Sequence, residues 1–108
     1  MCKHLVIATL VVLGMTLLVN PTTGVAYAEG MNWDAVAQCE SGGRADAVDP
    51  SGTYGGLYQF DVRTWHDLGG QGRPESAPAD EQTYRAKKLY VRRGSAPWPH
   101  CGARLRGA

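Results

Sequence analysis

No acidic residue follows Glu81, no Cys-x-x-Cys or His-x-x-x-His pair occurs, and only one stretch is apolar for more than a few residues. Each absence removes a class of protein. Without paired ligand spacing, a metal site drawn from Cys39, Cys101, His66 and His100 has no zinc pattern behind it, and no metal or other cofactor is expected. The single apolar run, Leu5 to Val19 interrupted by Gly14 and Thr16, is shorter than the ~20 residues a membrane span needs. A formal net charge of +1 gives no bulk attraction to nucleic acid or to an anionic membrane. Ser41 has neither a nucleophile elbow nor a Ser-His-Asp set around it. Repeats, low-complexity segments and a second domain are also missing.

What is present begins with a leader pattern. Lys3, the apolar run and then Ala26-Tyr27-Ala28, a small-x-small cleavage motif, make residues 1–28 a secretory signal peptide, with Cys2 leaving in it. Cleavage after Ala28 removes 28 of the 108 residues, leaves 80, and takes the net charge to 0 with the loss of Lys3. A domain of residues 29–108, with its core in 32–102, is short enough to need a staple. Cys39 and Cys101, an even pair in an exported chain, are read as a disulfide. They lie 62 residues apart, so closure is worth about 4 kcal/mol in the chain-entropy model. Seven basic residues (Arg85, Lys87, Lys88, Arg92, Arg93, Arg104, Arg106) follow the last acid. A solvated helix face is their commoner meaning, with contact to an anionic cell-surface polymer as the alternative.

Local signals give a mainly helical α+β domain. Glu29, Gly30 and Met31 read as a frayed lead-in. Asn32 caps a helix in which Trp33, Val36, Ala37 and Glu40 share one face, and Gly42-Gly43 stop it. Arg44 to Gly56 is turn chemistry throughout, a short hairpin or irregular loop crossing the end of that helix. Leu57-Tyr58-Gln59-Phe60 runs extended into Asp61, the N-cap of a second helix over Val62–Leu68. Gln71 to Pro78 is a surface loop. A third helix spans Ala79–Arg93, with Gln82, Ala86, Leu89 and Arg93 on one face, Tyr84, Lys87, Lys88 and Val91 on the next, and the inward stripe through Ala86, Leu89 and Tyr90. Pro97-Trp98-Pro99-His100 brings Cys101 back, and Gly102 to Ala108 form a mobile basic tail. Trp33, Trp65 and Trp98 are read as core, and His66 as a surface residue.

Glu40 is the residue with chemistry in it. A carboxylate on a core-facing stripe, in the last turn of a helix, is pushed toward its protonated form by burial and by the helix dipole, which is what a general acid requires. The motifs Trp33-Asp34-Ala35-Val36-Ala37-Gln38-Cys39-Glu40-Ser41-Gly42-Gly43, Tyr54-Gly55-Gly56-Leu57-Tyr58-Gln59-Phe60, Thr64-Trp65, Gly69-Gly70 and Pro97-Trp98-Pro99-His100-Cys101 occur in that order. Together they resemble the resuscitation-promoting factor family of secreted bacterial muralytic proteins, from Trp33 to Cys101. The resemblance implies a lysozyme-like fold related to the soluble lytic transglycosylases, peptidoglycan as substrate, a secreted or cell-wall location, Glu40 as the catalytic acid, and a Cys39–Cys101 disulfide. Two departures stand out. The family's tryptophan after the glycine pair is replaced by Arg44-Ala45-Asp46. The family's Gly-Gly-Leu-Gln-Phe carries one extra residue, Tyr58, and so is similar to the Gly-Leu-Met-Gln motif of lytic transglycosylases, which makes Gln59 the second site residue.

The expected reaction is cleavage of the β-1,4 bond between N-acetylmuramic acid and N-acetylglucosamine. Hydrolysis would call for a second carboxylate; Asp46, Asp49 and Asp61 are the candidates, and each has a turn or cap to serve instead. A one-carboxylate route through Glu40 to a 1,6-anhydro sugar is therefore preferred. Tyr54 is the aromatic expected against sugar, with Tyr58 and Thr53 as further contacts. Peptidoglycan strands are the partner, a second cell-wall hydrolase is left open, and a monomer is expected that binds neither nucleic acid nor, after cleavage, membrane. The competing reading is a non-catalytic peptidoglycan-binding or signalling module.

Overall fold

In the computed structural model, which describes residues 21–107, four α-helices, two 3-10 turns and one two-stranded sheet follow one another along the chain. Helix α1 (Pro21–Ala28) packs against α4 (Ala79–Arg93). Helix α2 (Trp33–Ser41) starts where Asn32 accepts the Ala35 N–H through its side-chain oxygen at 3.1 Å. It ends where Gly42, at φ 66°, turns its N–H back to the Gln38 carbonyl at 3.0 Å. Both limits follow from residue type, a side-chain acceptor for an orphan N–H and a glycine for the left-handed exit. Helix α3 (Val62–Asp67) is capped by Asp61, and the 3-10 turns cover Pro74–Ser76 and Gly102–Arg106.

Trp33 is the centre of the core. Its ring meets Tyr58, Tyr90 and Trp98 edge-on at 5.8, 5.9 and 5.5 Å between centroids, the arrangement aromatic quadrupoles favour. Its indole N–H donates to the Ala28 carbonyl at 2.7 Å. Trp65 and Trp98 are buried as well, and each donates its N–H to a backbone carbonyl, of Gln71 and Tyr58 respectively. Cys39 and Cys101 are joined by a disulfide, S–S 2.04 Å, which ties α2 to the segment leading into the final 3-10 turn.

Four expectations change. Leu57 to Gln59 are not extended: β1 (Tyr54–Gly55) pairs antiparallel with β2 (Phe60–Asp61), and residues 56–59 form the turn between them. The Leu57 N–H is claimed by the Gln82 side chain at 2.7 Å, which bends the chain where local spacing suggested a strand. The tail is not free, since Leu105 is 3 % exposed and its carbonyl accepts the Asn32 N–H at 2.9 Å. The lead-in is not frayed either: Glu29 pairs with Lys87 at 2.8 Å and Met31 packs on the core. The basic run is only partly a solvated face. Arg85 pairs with Glu81, donates to the Leu68 carbonyl and lies over Trp65, and Lys88 reaches the same carbonyl at 3.4 Å.

Of the expected leader, residues 1–20 lie outside the described residues. Ala28, its expected last residue, is 0 % exposed and part of the core; cleavage after it would remove the carbonyl that receives the Trp33 indole. No helix among the described residues is long and apolar enough to cross a membrane.

Candidate active site

Glu40 lies in the last turn of α2, half-buried, on the stripe that carries Trp33, Val36 and Ala37 into the core. Its side chain faces a cleft of about 370 Å³ lined by Glu40, Tyr54, Gln59, Pro97, Pro99 and His100. Loss of hydration on burial holds the carboxyl above its ordinary value of 4.5, and the neighbouring His100 charge opposes that rise without cancelling it. Glu40 therefore keeps its proton at higher pH than a solvated glutamate. Ser41 is turned back on its helix, its hydroxyl donating to the Ala37 carbonyl at 2.9 Å.

The opposite wall is the hairpin. Asp49 fastens it: one carboxylate oxygen accepts the Tyr54 N–H at 2.9 Å, the other the Ser51 hydroxyl at 2.7 Å, and these bonds hold its carboxyl below the usual range. The Gly56 N–H donates to the Ala47 carbonyl at 2.8 Å, closing the loop from below. Gln59 follows in a left-handed backbone, φ 54°, the one non-glycine residue with positive φ among those described. Such a conformation costs of order 1 kcal/mol or more and persists where the surroundings enforce it, commonly at functional sites. Here its side-chain amide N–H donates to the Gly56 carbonyl at 2.8 Å, which fixes the side chain at the cleft wall.

A groove continues past Gln59 through a further 280 Å³, sharing Tyr54, Gln59, Pro97 and Pro99 with the cleft and adding Asp61, Thr64 and Arg93. Asp61 is engaged there as the α3 cap, its two oxygens accepting the Thr64 N–H at 2.7 Å and the Thr64 hydroxyl at 3.0 Å. Among the described residues, Glu40 is thus the one carboxylate lining the cleft itself. A larger cavity of about 550 Å³ lies between the end of α4 and the last 3-10 turn, but no carboxylate lines it.

The expected site residues divide. Glu40, Gln59 and Tyr54 meet in the cleft, Tyr54 with 44 % of its surface exposed. Thr53 lies exposed on the loop and does not line the cleft. Tyr58 borders the adjoining groove but is only 2 % exposed, with its hydroxyl bonded to Thr83 at 2.9 Å and its phenol pushed upward by burial, so it packs chiefly as a core residue. Asp46 is exposed and Asp49 serves the turn. Sequence reasoning passed over His100, Arg93 and Thr64 as groove residues. The only local signal for the first was its place beside Cys101.

One half-buried carboxylate with a raised pKa at the end of a helix that packs its apolar stripe into the core, beside a groove walled by a short hairpin, defines a lysozyme-like domain. The family model for the transglycosylase-like domain matches residues 27–101. The chain belongs to the resuscitation-promoting factor family. It is 44 % identical over 102 residues to resuscitation-promoting factor RpfC of Mycobacterium tuberculosis, covering 94 % of this chain and 69 % of that one. To RpfE of the same species it is 43 % identical over 84 residues, covering 78 % and 47 %, and to Rpf of Micrococcus luteus 37 % over 99 residues, covering 88 % and 44 %. The chain thus spans about half the length of the last two.

Proposed function

We propose that this protein is an exported muralytic enzyme that cleaves the β-1,4 bond between N-acetylmuramic acid and N-acetylglucosamine, with Glu40 as its acid and then its base. The observation that carries the reading is the Glu40 carboxyl, its pKa raised by burial, lining one open cleft with Gln59. Glu40 gives its proton to the leaving glycosidic oxygen as positive charge develops at the muramic anomeric carbon. The resulting carboxylate takes the proton of the muramic 6-hydroxyl, whose oxygen closes on the anomeric carbon to leave a 1,6-anhydro sugar. No water is consumed and the glutamate ends as it began. The one-carboxylate cleft favours this route over hydrolysis, where a second carboxylate would hold or activate a water. Gln59 accepts from a sugar hydroxyl or acetamide N–H, and Tyr54 offers its ring to a sugar face. Resuscitation is the role that the names of the relatives suggest, and cleavage of this bond would also remodel the wall.

The test is mass spectrometry of muropeptides released from purified cell wall. The wild type is expected to give products lighter by one water than those of hydrolysis, and Glu40→Gln to release at least about a hundredfold less. Hydrolytic products would refute the anhydro route. Undiminished biological effect from Glu40→Gln would favour the binding or signalling module, a reading to which the Arg44-Ala45-Asp46 replacement of the family tryptophan lends its weight.

A further inference from the structure

His100 has no part in the scheme above, yet the fold delivers it to the cleft by a definite route. Glu40 follows Cys39 in sequence and His100 precedes Cys101, and the disulfide holds the two cysteine Cα atoms 5.8 Å apart. The residues on either side of the bond are thereby placed together, and both line the 370 Å³ cleft. The strand of chain that carries His100 has little freedom. Pro97 and Pro99 flank Trp98, whose buried ring donates to the Tyr58 carbonyl at 3.1 Å, and the Gly102 N–H closes onto the Trp98 carbonyl at 2.7 Å. The imidazole itself is exposed, and among the described residues neither ring nitrogen is taken up by an intramolecular hydrogen bond or ion pair.

We propose that His100 is a positioning residue of this cleft: tethered beside Glu40 through the Cys39–Cys101 bond, its imidazole, when charged, governs how readily Glu40 releases its proton to the leaving oxygen. The inference rests on Glu40 being the acid and base of the reaction. Histidine is the side chain whose ordinary titration lies nearest neutrality. As an imidazolium it favours the ionised Glu40, easing proton transfer to the leaving oxygen and stabilising the carboxylate left behind. As a neutral ring it leaves burial unopposed, and Glu40 holds its proton more tightly. Few other groups face the cleft. From the hairpin come the Tyr54 phenol and the neutral Gln59 amide, and from the 97–99 segment two prolines. Further along the groove, Asp61 is tied to Thr64 and Arg93 on α4 carries a fixed charge.

The test combines a carbon-detected NMR titration of the Glu40 carboxyl with the pH profile of muropeptide release, in the wild type, H100Q and H100K. H100Q is expected to move the Glu40 titration upward by about half a pH unit, the size of the effect of one charge on another a few ångströms away through water, and the alkaline limb of the rate profile should move with it. H100K, with its permanent charge, should keep the titration at or below that of the wild type. Superimposable Glu40 titrations in wild type and H100Q would overturn the proposal. Full cleavage by E40Q would instead overturn the functional reading, and the NMR titration would still decide whether His100 acts on Glu40. Equal urea midpoints for all three proteins are expected, which separates this effect from loss of fold.

Discussion

Gln82 is 0 % exposed, the one fully buried polar side chain in the described core, and it binds three separate stretches of chain at once. Its oxygen accepts the Leu57 N–H at 2.7 Å, and its amide nitrogen donates to the Ala45 carbonyl at 3.1 Å and the Ala77 carbonyl at 2.9 Å. A Cβ on Gly56, at φ 84°, would lie 2.4 Å from that oxygen, so the turn approaches Gln82 as closely as only glycine allows. Gln82→Leu keeps much of the volume and removes all three bonds. A net hydrogen bond is worth about 1 kcal/mol, and a buried donor or acceptor left unpaired costs about 1–3 kcal/mol. The loss should come to roughly 3–5 kcal/mol, against a total of roughly 4–12 kcal/mol for a domain of about 80 residues. Urea denaturation followed by tryptophan fluorescence reads this directly, because all three tryptophans are buried. The midpoint should fall steeply with an unchanged m-value. Gln82→Glu adds a second arm. Its carboxylate can accept from Leu57, but its other oxygen then faces two carbonyls. Burial and those carbonyls raise its folded-state pKa above the unfolded value near 4.3, so its stability is greatest below that value and lost as pH rises. Its deficit should therefore be large at pH 7 and smaller at pH 4. A Gln82→Leu stability within about 1 kcal/mol of the wild type would show that water or a relaxed backbone replaces these bonds, and that Gln82 does not organise the turn bearing Gln59.

Other outcomes follow from the same geometry. The Glu40 carboxyl is raised by burial, so its contribution to stability is complete below the unfolded pKa and is lost as pH rises through the folded one. Glu40→Gln should then be at least as resistant to urea as the wild type at pH 7, with the difference closing at pH 4; a Glu40→Gln protein clearly weaker at pH 7 would contradict the burial argument. Replacing Cys39 and Cys101 by serine together should lower stability by about 4 kcal/mol for a 62-residue separation, measured by urea titration, and reduce muropeptide release as Glu40 and His100 lose their common anchor. Leu105→Ala should cost about 2–3 kcal/mol by the same assay; a change below about 0.5 kcal/mol, as at an exposed site, would mean that the C-terminal turn is not docked on Asn32.

Much of this protein was legible in short stretches of chain. Asn32 and Gly42-Gly43 bound α2, and Pro78, the acidic first turn and Gly94 bound α4, because caps and dipoles act over one turn of helix. The pairing of Glu40 with the buried stripe of α2 was equally local, a matter of residues three and four apart, and so was the choice of three tryptophans as core. Other features rested on partners remote in sequence. Leu57 to Gln59 turn instead of extending because Gln82, 25 residues on, takes the Leu57 N–H. The tail is docked because a lone Leu105 finds a pocket and its carbonyl finds Asn32. Arg85 and Lys88 are drawn from a basic face into contacts with Leu68. His100 and Glu40, remote in sequence, line one cleft beside the Cys39–Cys101 bond. Spacing along a chain encodes which side of a helix a residue occupies. Which distant N–H, carbonyl or charge it will meet depends on how the elements pack, and here packing decided both the shape of the cleft and the company that its one carboxylate keeps.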